Sequence, residues 1–476
     1  MSQNLPRNTF FSALSAVSNL LLVVLVILAG RILGDSDYGK FSFALAIASM
    51  FEMPIDFGLN TLTVKNVARD RSLASRYLQT ILPWKSLLSL GVMLLLVPTA
   101  YLLAHSSDGR IAVYAMGLAI VLRTFKSTTH AFFRAYERFD LVLLTTYTER
   151  ILVVVVCGLV LYRGSALIPF AFAFALARTP DLIFSFWLMH RRVVPLGWKW
   201  NLSLIRSIQA QAIPFGSLNI ITVMYAYIGT VILGALRSPA EVGWYSAGYR
   251  IYEGLTIFPF ILCSVLLPRL SSLFVSNREK HTELSTRGLK YMLVAGLPIA
   301  ACGQILAPWI LSTIFDPSYA KGVWALRMLF IASALMFANW LLNTILVSAD
   351  KQSVVLRVTA KGLGISIIAH LVLIPIYGVL GAGIAAVCAE LCIFSLYIRL
   401  SKEIGLRRSM SMAMWRPAVA GMSAAFLFFL PGMHMRFSII PAFVLVYTAI
   451  LLILRTFDAD ELSALKSIFS PRRKTM

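Results

Sequence analysis

A chain of 476 residues with 59% hydrophobic and only 13% charged residues, and a mean hydropathy of +0.79, stands far from the roughly 25% charged residues of a soluble domain. A water-soluble fold is excluded on that ground. Forty-three Lys and Arg against 21 Asp and Glu leave a net charge of +22; in so apolar a chain the excess points to anionic lipid or anionic cargo, not to nucleic acid.

Hydrocarbon about 30 Å thick takes roughly 20 apolar residues per helix, and such stretches recur along the chain. Fourteen spans are expected, at 10–30, 41–63, 79–103, 111–133, 141–162, 166–188, 212–235, 243–267, 289–312, 323–346, 357–375, 379–400, 411–431 and 437–455. The first is read as uncleaved, because its apolar run starts at Phe10 and leads into Arg31-Ile32-Leu33-Gly34 without a small-x-small cleavage site. The five cysteines (Cys157, Cys263, Cys302, Cys388, Cys392) fall inside spans with no CxxC or His pattern, so they read as small packing residues and no metal is expected.

Loop charge gives the spans a direction. With the N-terminus inside, cytoplasmic segments hold 29 Lys and Arg, among them Lys65, Arg69, Arg71, Arg76, Arg191, Arg192, Lys199, Arg399, Lys402, Arg407 and Arg408. The opposite side holds eight: Arg31, Lys40, Arg110, Arg163, Arg237, Lys321, Arg327 and Arg436. A multi-pass inner-membrane protein with both termini cytoplasmic is the expectation.

Leu33-Gly34-Asp35-Ser36-Asp37-Tyr38-Gly39 after span 1 is echoed by Leu233-Gly234 through Val242-Gly243-Trp244-Tyr245 after span 7. Spans 1 and 7 run the same way, so the repeat is parallel. Pro54 and Pro259 follow the two glycines at nearly the same distance, which predicts a shared helix irregularity in spans 2 and 8. The resulting division is an N-terminal lobe at 1–200 with six spans, a C-terminal lobe at 201–405 with six more, two added spans at 406–456, and a cytoplasmic basic tail at 457–476 ending Arg472-Arg473-Lys474.

Charges inside spans cost at least about 2.5 kcal/mol near a helix centre, so they mark a hydrated, protein-lined interior. Lys85, Arg123, Lys126, Arg150, Arg178 and Arg250 are the cationic candidates for substrate contact; Glu52, Asp56, Glu149, Asp181, Glu253 and Glu390 are the acids, with ion-coupling or structural roles. Arg178 with Asp181, and Arg250 with Glu253, are spaced i,i+3 and read as local pairs, whereas Glu149 adjoins Arg150 but points about 100° away. Lys85, near a helix end, reads as snorkelling. Glu52 and Asp56 at i,i+4 are like charges that would hinder each other's ionisation. Arg123 and Lys126 share one face of span 4, which holds no acid between Ile111 and Phe133; they need a partner from elsewhere, either a pyrophosphate, which suits a forked Arg and a mobile Lys, or Glu52 or Glu390.

Gly34-Asp35-Ser36-Asp37-Tyr38-Gly39-Lys40-Phe41 nearly matches a Walker A loop, but Phe41 replaces the metal-binding hydroxyl and no strand precedes it. The same segment, with Asp56-Phe57-Gly58-Leu59, Arg134-Ala135-Tyr136-Glu137-Arg138, Ile213-Pro214-Phe215-Gly216, Val242-Gly243-Trp244-Tyr245-Ser246-Ala247 and Gly378-Val379-Leu380-Gly381-Ala382-Gly383, resembles the Wzx-type polysaccharide flippases of the multidrug/oligosaccharidyl-lipid/polysaccharide exporter superfamily. The resemblance implies an all-α, two-lobed fold like the MATE exporters and lipid II flippases. It also implies flipping of an undecaprenyl-pyrophosphate-linked oligosaccharide from the cytoplasmic to the periplasmic leaflet by alternating access, with polysaccharide polymerase and chain-length proteins as partners and no nucleic acid. Spans 13 and 14 would flank a groove for the lipid tail. No cofactor is implied beyond coupling to a H+ or Na+ gradient or to the membrane potential. Relatives often carry an Asp shortly before the Leu-Gly of span 7, where this chain has Gly229 and Thr230. A drug exporter of the same superfamily would favour an acidic or aromatic cavity; a membrane polymerase or glycosyltransferase would need a longer external loop than the roughly ten residues available, so no enzyme activity is expected.

Overall fold

The computed structural model describes residues 14, 18–164, 166–401, 407–425, 439–454 and 456–457; among these the long apolar stretches are helical and there is no strand. Lipid offers backbone N–H and C=O groups no partner, so each segment satisfies its own. The helices are α1 (Asn19–Asp56), α2 (Leu59–Arg69), α3 (Leu73–Leu103), α4 (Ser107–Ala135), α5 (Phe139–Tyr162), α6 (Leu167–Leu176), α7 (Thr179–Arg192) and α8 (Leu202–Leu236). Then follow α9 (Pro239–Leu255), α10 (Ile257–Ser276), α11 (Arg278–Ile310), α12 (Val323–Ser348), α13 (Gln352–Tyr377), α14 (Val379–Leu400), α15 (Arg407–Ala425) and α16 (Ile439–Ile453).

Among the described residues, ten helices or end-to-end helix pairs are long and apolar enough to cross a membrane by length and composition. Spans 1 and 2 are separate helices, as expected: α1 consists of two helices that meet at a kink at Gly34, whose φ of 77° and ψ of 171° lie outside the helical region. Span 6 is split into α6 and α7, and span 8 into α9 and α10 at Thr256. Both prolines expected to disturb their helices do so: α1 ends two residues after Pro54, where Phe57 and Gly58 take φ of 36° and 79°, and Pro259 lies in the first turn of α10. The Walker-like segment is part of α1 and forms no phosphate loop. The basic tail beyond 457, Lys402 and Arg436 lie outside the described residues.

By packing, the chain forms two compact units: residues 1–250, 311–325 and 363–385, and residues 251–310, 326–362 and 386–476. This partition does not follow a cut at residue 200, because α8 and the start of α9 pack against α1. In the first unit the repeated segments meet face to face. A Cβ on Gly39 would overlap the Pro239 carbonyl, and one on Gly243 would overlap the Asp35 carbonyl; each glycine lets the other segment's backbone approach. Tyr38 and Phe41 are fully buried beside them, Phe41 edge-on to Phe170 and Phe174, while Tyr319 donates its hydroxyl to the Gly30 carbonyl at 2.7 Å. In the second unit α15 and α16, the added spans, pack on α11: Ala420, Ala424, Phe443, Tyr447 and Leu451 meet Val294, Ala301 and Cys302.

Candidate functional site

The first unit concentrates buried charge. A side chain ionised in hydrocarbon must find a counter-charge or its own hydrogen bonds, and the helix breaks supply both. Where α1 ends, the left-handed pair Phe57 and Gly58 turns the chain so that Asp56 and Asn60 both reach Lys85 on α3. Lys85 is fully buried and donates to Asp56 Oδ1 at 2.6 Å, Asn60 Oδ1 at 2.9 Å and Thr128 Oγ1 at 2.9 Å. It therefore does not snorkel: its three donors are used inside the protein.

In the same unit, Glu149 on α5 joins two cations. Lys126 of α4 donates to Glu149 Oε2 and to the Thr145 carbonyl, each at 2.8 Å, and Arg178 donates through Nε to Glu149 Oε1 at 3.1 Å. Arg178 occupies the break between α6 and α7, where it also donates to the Phe174 carbonyl and lies over that ring. Asp181 is fully buried, and its Oδ2 stands 2.5 Å from Lys126 Nζ as a second counter-charge to that cation. The expected Arg178–Asp181 pair is thus not made, because the break re-aims Arg178 towards α5. Arg150 places Nη1 3.7 Å from Glu149 Oε1.

Arg123 differs from the rest. It grips Glu52 by two parallel bonds, Nε to Oε1 at 3.0 Å and Nη2 to Oε2, the bidentate geometry that guanidinium makes with carboxylate or phosphate. Its side chain is 42% exposed, against 7% for Lys126 and Arg178, 17% for Arg150 and none for Lys85. Glu52 and Asp56 do not compete as like charges, since each has its own cation. Five cations (Lys85, Arg123, Lys126, Arg150, Arg178) stand against four acids (Glu52, Asp56, Glu149, Asp181), so the cluster is nearly neutral, with one positive charge in excess.

Elsewhere the expected site residues are dispersed. Arg250 is half-buried and Glu253 exposed on α9, and each makes an interaction there. Glu390 on α14 accepts from the Tyr252 hydroxyl at 3.0 Å and from Asn339 Nδ2 at 2.7 Å; Arg123 takes Glu52 as its acid. The described residues hold no group of three or more His, Cys, Asp or Glu suited to a metal. Sequence reasoning overlooked His130, whose Nε2 lies 2.9 Å from Thr145 Oγ1 beside the Lys126 site, and Lys290, buried and donating to the Thr456 carbonyl at 3.0 Å. It also overlooked His370. The available signal was a polar residue within an apolar run, without a charge partner in its own span.

The family model for "Polysaccharide biosynthesis protein" matches residues 5–274, more than half of the chain. The chain belongs to this polysaccharide biosynthesis family. The model for the MatE family matches residues 214–373. Among curated relatives, the capsular polysaccharide biosynthesis protein CapF of Staphylococcus aureus is 21% identical over 402 residues, covering 82% of this chain and 96% of CapF. The probable flippase AglR of Haloferax volcanii is 27% identical over 171 residues, 35% of this chain and 36% of AglR. Among solved structures, the lipid II flippase MurJ in an inward closed conformation superposes with a TM-score of 0.72 at 11% identity, covering 94% of this chain and 97% of MurJ. An inward-facing multidrug resistance MATE transporter of the MOP superfamily superposes at 0.68 and 13% identity, covering 83% and 96%. The fold is therefore that of MurJ and the MATE transporters, and this member of the polysaccharide biosynthesis family is a multi-pass membrane protein.

Proposed function

We propose that the protein flips an undecaprenyl-pyrophosphate-linked oligosaccharide from the cytoplasmic to the periplasmic leaflet of the bacterial inner membrane by alternating access, with both termini cytoplasmic, and hands it to a polysaccharide polymerase and its chain-length partner. The role is transport, and no bond of the cargo is made or broken. The observation that carries this reading is Arg123: among the cations of the cluster it alone combines a bidentate grip with a 42% exposed side chain. A diphosphate presents the same pair of oxygens as Glu52, with more charge. The deeply buried Lys85, Lys126 and Arg178 hold the helices in register, and Arg150 adds field to the same cluster. A drug-exporter reading draws on the MatE match over 214–373, but an organic cation would meet a guanidinium at this place.

Deletion of the gene tests the reading. Lipid-linked oligosaccharide should accumulate on the cytoplasmic leaflet while surface polysaccharide disappears; unchanged polysaccharide, or an intermediate already on the far leaflet, overturns it. Arg123→Glu should abolish complementation at normal membrane abundance, and full activity in that variant removes Arg123 from the cargo site.

A further inference from the structure

His370 on α13 is 97% removed from solvent, in the middle of an apolar helix. Its Nδ1 lies 2.7 Å from the main-chain oxygen of Ser366, one turn earlier. A carbonyl only accepts, so the ring proton is on Nδ1, and Nε2 carries a lone pair. That Nε2 is buried and meets no hydrogen-bond partner, a situation native structures rarely leave without a purpose. It points at Gly229 of α8: a Cβ there would stand 2.5 Å from Nε2 and 3.2 Å from the Tyr245 hydroxyl of α9. The missing side chain of Gly229 is thus the space that admits the imidazole. Tyr245 is itself buried, and its ring packs on Tyr249.

The groups presented to the ring are Ser366 from α13, whose hydroxyl lies 3.3 Å from Nδ1 beside its carbonyl, Gly229 from α8, and the phenol of Tyr245 from α9. Its hydrogen-bonding contacts among the described residues are both to Ser366, and none is to a charged side chain. A positive charge created here would be buried with no anion to offset it. The charge becomes tolerable only when water enters between α8 and α13.

We propose that His370 is a proton-binding site, holding one ring proton in this closed packing and taking a second at Nε2 when α8 and α13 part. Proton binding and helix separation are then a single event, and proton release returns the imidazole to the space over Gly229. As the coupling site of an export cycle it rests on the flippase reading above; as a proton site it can be tested without any cargo.

The test uses the full chain in lipid nanodiscs, with its five cysteines replaced by alanine and spin labels on Leu218→Cys of α8 and Tyr377→Cys of α13, both exposed. Electron–electron distances are followed from pH 8 to pH 5. A second distance population should grow as pH falls, its ratio to the first changing by at most about tenfold per pH unit, as one linked proton requires; His370→Gln and His370→Asn should hold the pH 8 distribution throughout. A flat wild-type profile overturns the proposal, as does a variant that keeps the wild-type dependence, which would move the proton to a group such as Asp181. As a measurement that no folding defect can obscure, 15N-histidine spectra of the unlabelled wild type, assigned with a chain whose other five histidines are glutamine, should show Nε2 of His370 gaining a proton over the same range. An Nε2 that stays unprotonated at pH 5 overturns it equally. Loss of the polysaccharide phenotype in the deletion strain is independent of these results, so the two readings fail separately.

Discussion

Trp244 donates its indole N–H to Asp35 across 2.8 Å, although 209 residues separate them in the chain. Next to that bond, the Gly243 backbone rests on the Asp35 carbonyl. Adding a methyl group at either seam glycine forces the backbones apart, and overpacking of this kind costs about 1–3 kcal/mol. Gly243→Ala and Gly39→Ala should lower the Tm of the purified protein and reduce polysaccharide export, with Gly91→Ala, where a Cβ meets open space, unchanged in both. Equal melting of the three variants would show that the seam does not contribute.

Glu149 and Glu52 should behave oppositely although both are acids bound to intramembrane cations. Glu149→Gln removes the shared counter-charge of Lys126 and Arg178, both buried, and breaking a buried pair costs about 3–5 kcal/mol. Membrane abundance should collapse in a quantitative immunoblot. Glu52→Gln releases the half-exposed Arg123, so abundance should stay near wild type while isolated protein retains more pyrophosphate-bearing lipid.

Lys85 and Asp56 form a pair that can be removed together. Lys85→Met leaves Asp56 without its cation and should destabilise by about 3–5 kcal/mol. The double variant Lys85→Met with Asp56→Leu should regain much of that loss, since replacing a buried pair by apolar groups is often neutral. Thermal unfolding in detergent compares the three, and additive losses would show that the pair is not coupled.

Between α2 and α3, outside the spans, Asp70 accepts from both the backbone N–H and the hydroxyl of Ser72. These bonds hold its carboxyl below the ordinary value near 3.8, the side-chain bond contributing most. A carboxyl with a lowered folded pKa stabilises above its unfolded pKa and loses that contribution as pH falls through the folded value. Protection of the Ser72 amide against hydrogen exchange, corrected for intrinsic rate, should be constant at neutral pH and fall only in acid below the usual carboxylate range. Loss of protection between pH 7 and 5 would contradict this.

Helix identity was readable throughout, because an apolar run in lipid has one solution. Three charge relationships were not. Spacing along a helix predicted Arg178 with Asp181, but spacing assumes an unbroken helix, and the chain breaks at Arg178. Glu52 and Asp56 differ: they lie on one helix yet reach Arg123 and Lys85 on two others, which spacing within a helix does not show. The need of Arg123 for an acid from elsewhere was legible from the empty span 4; that Lys126 would take two, Glu149 and Asp181, depended on packing between helices. His370 stood out only as a polar residue in an apolar run; its significance lies in a missing atom at Gly229, 141 residues away.

The contact in which Gly39 meets Pro239 and Gly243 meets Asp35 has the form of an interface between identical subunits: Asp35 and Pro239 each precede their glycine by four residues, and each half offers the other the same patch. One polypeptide here performs the self-recognition of a twofold dimer. A cut in the connection between α7 and α8 would leave two fragments that already carry matching faces, and co-expressed they should reassemble across this seam without being joined.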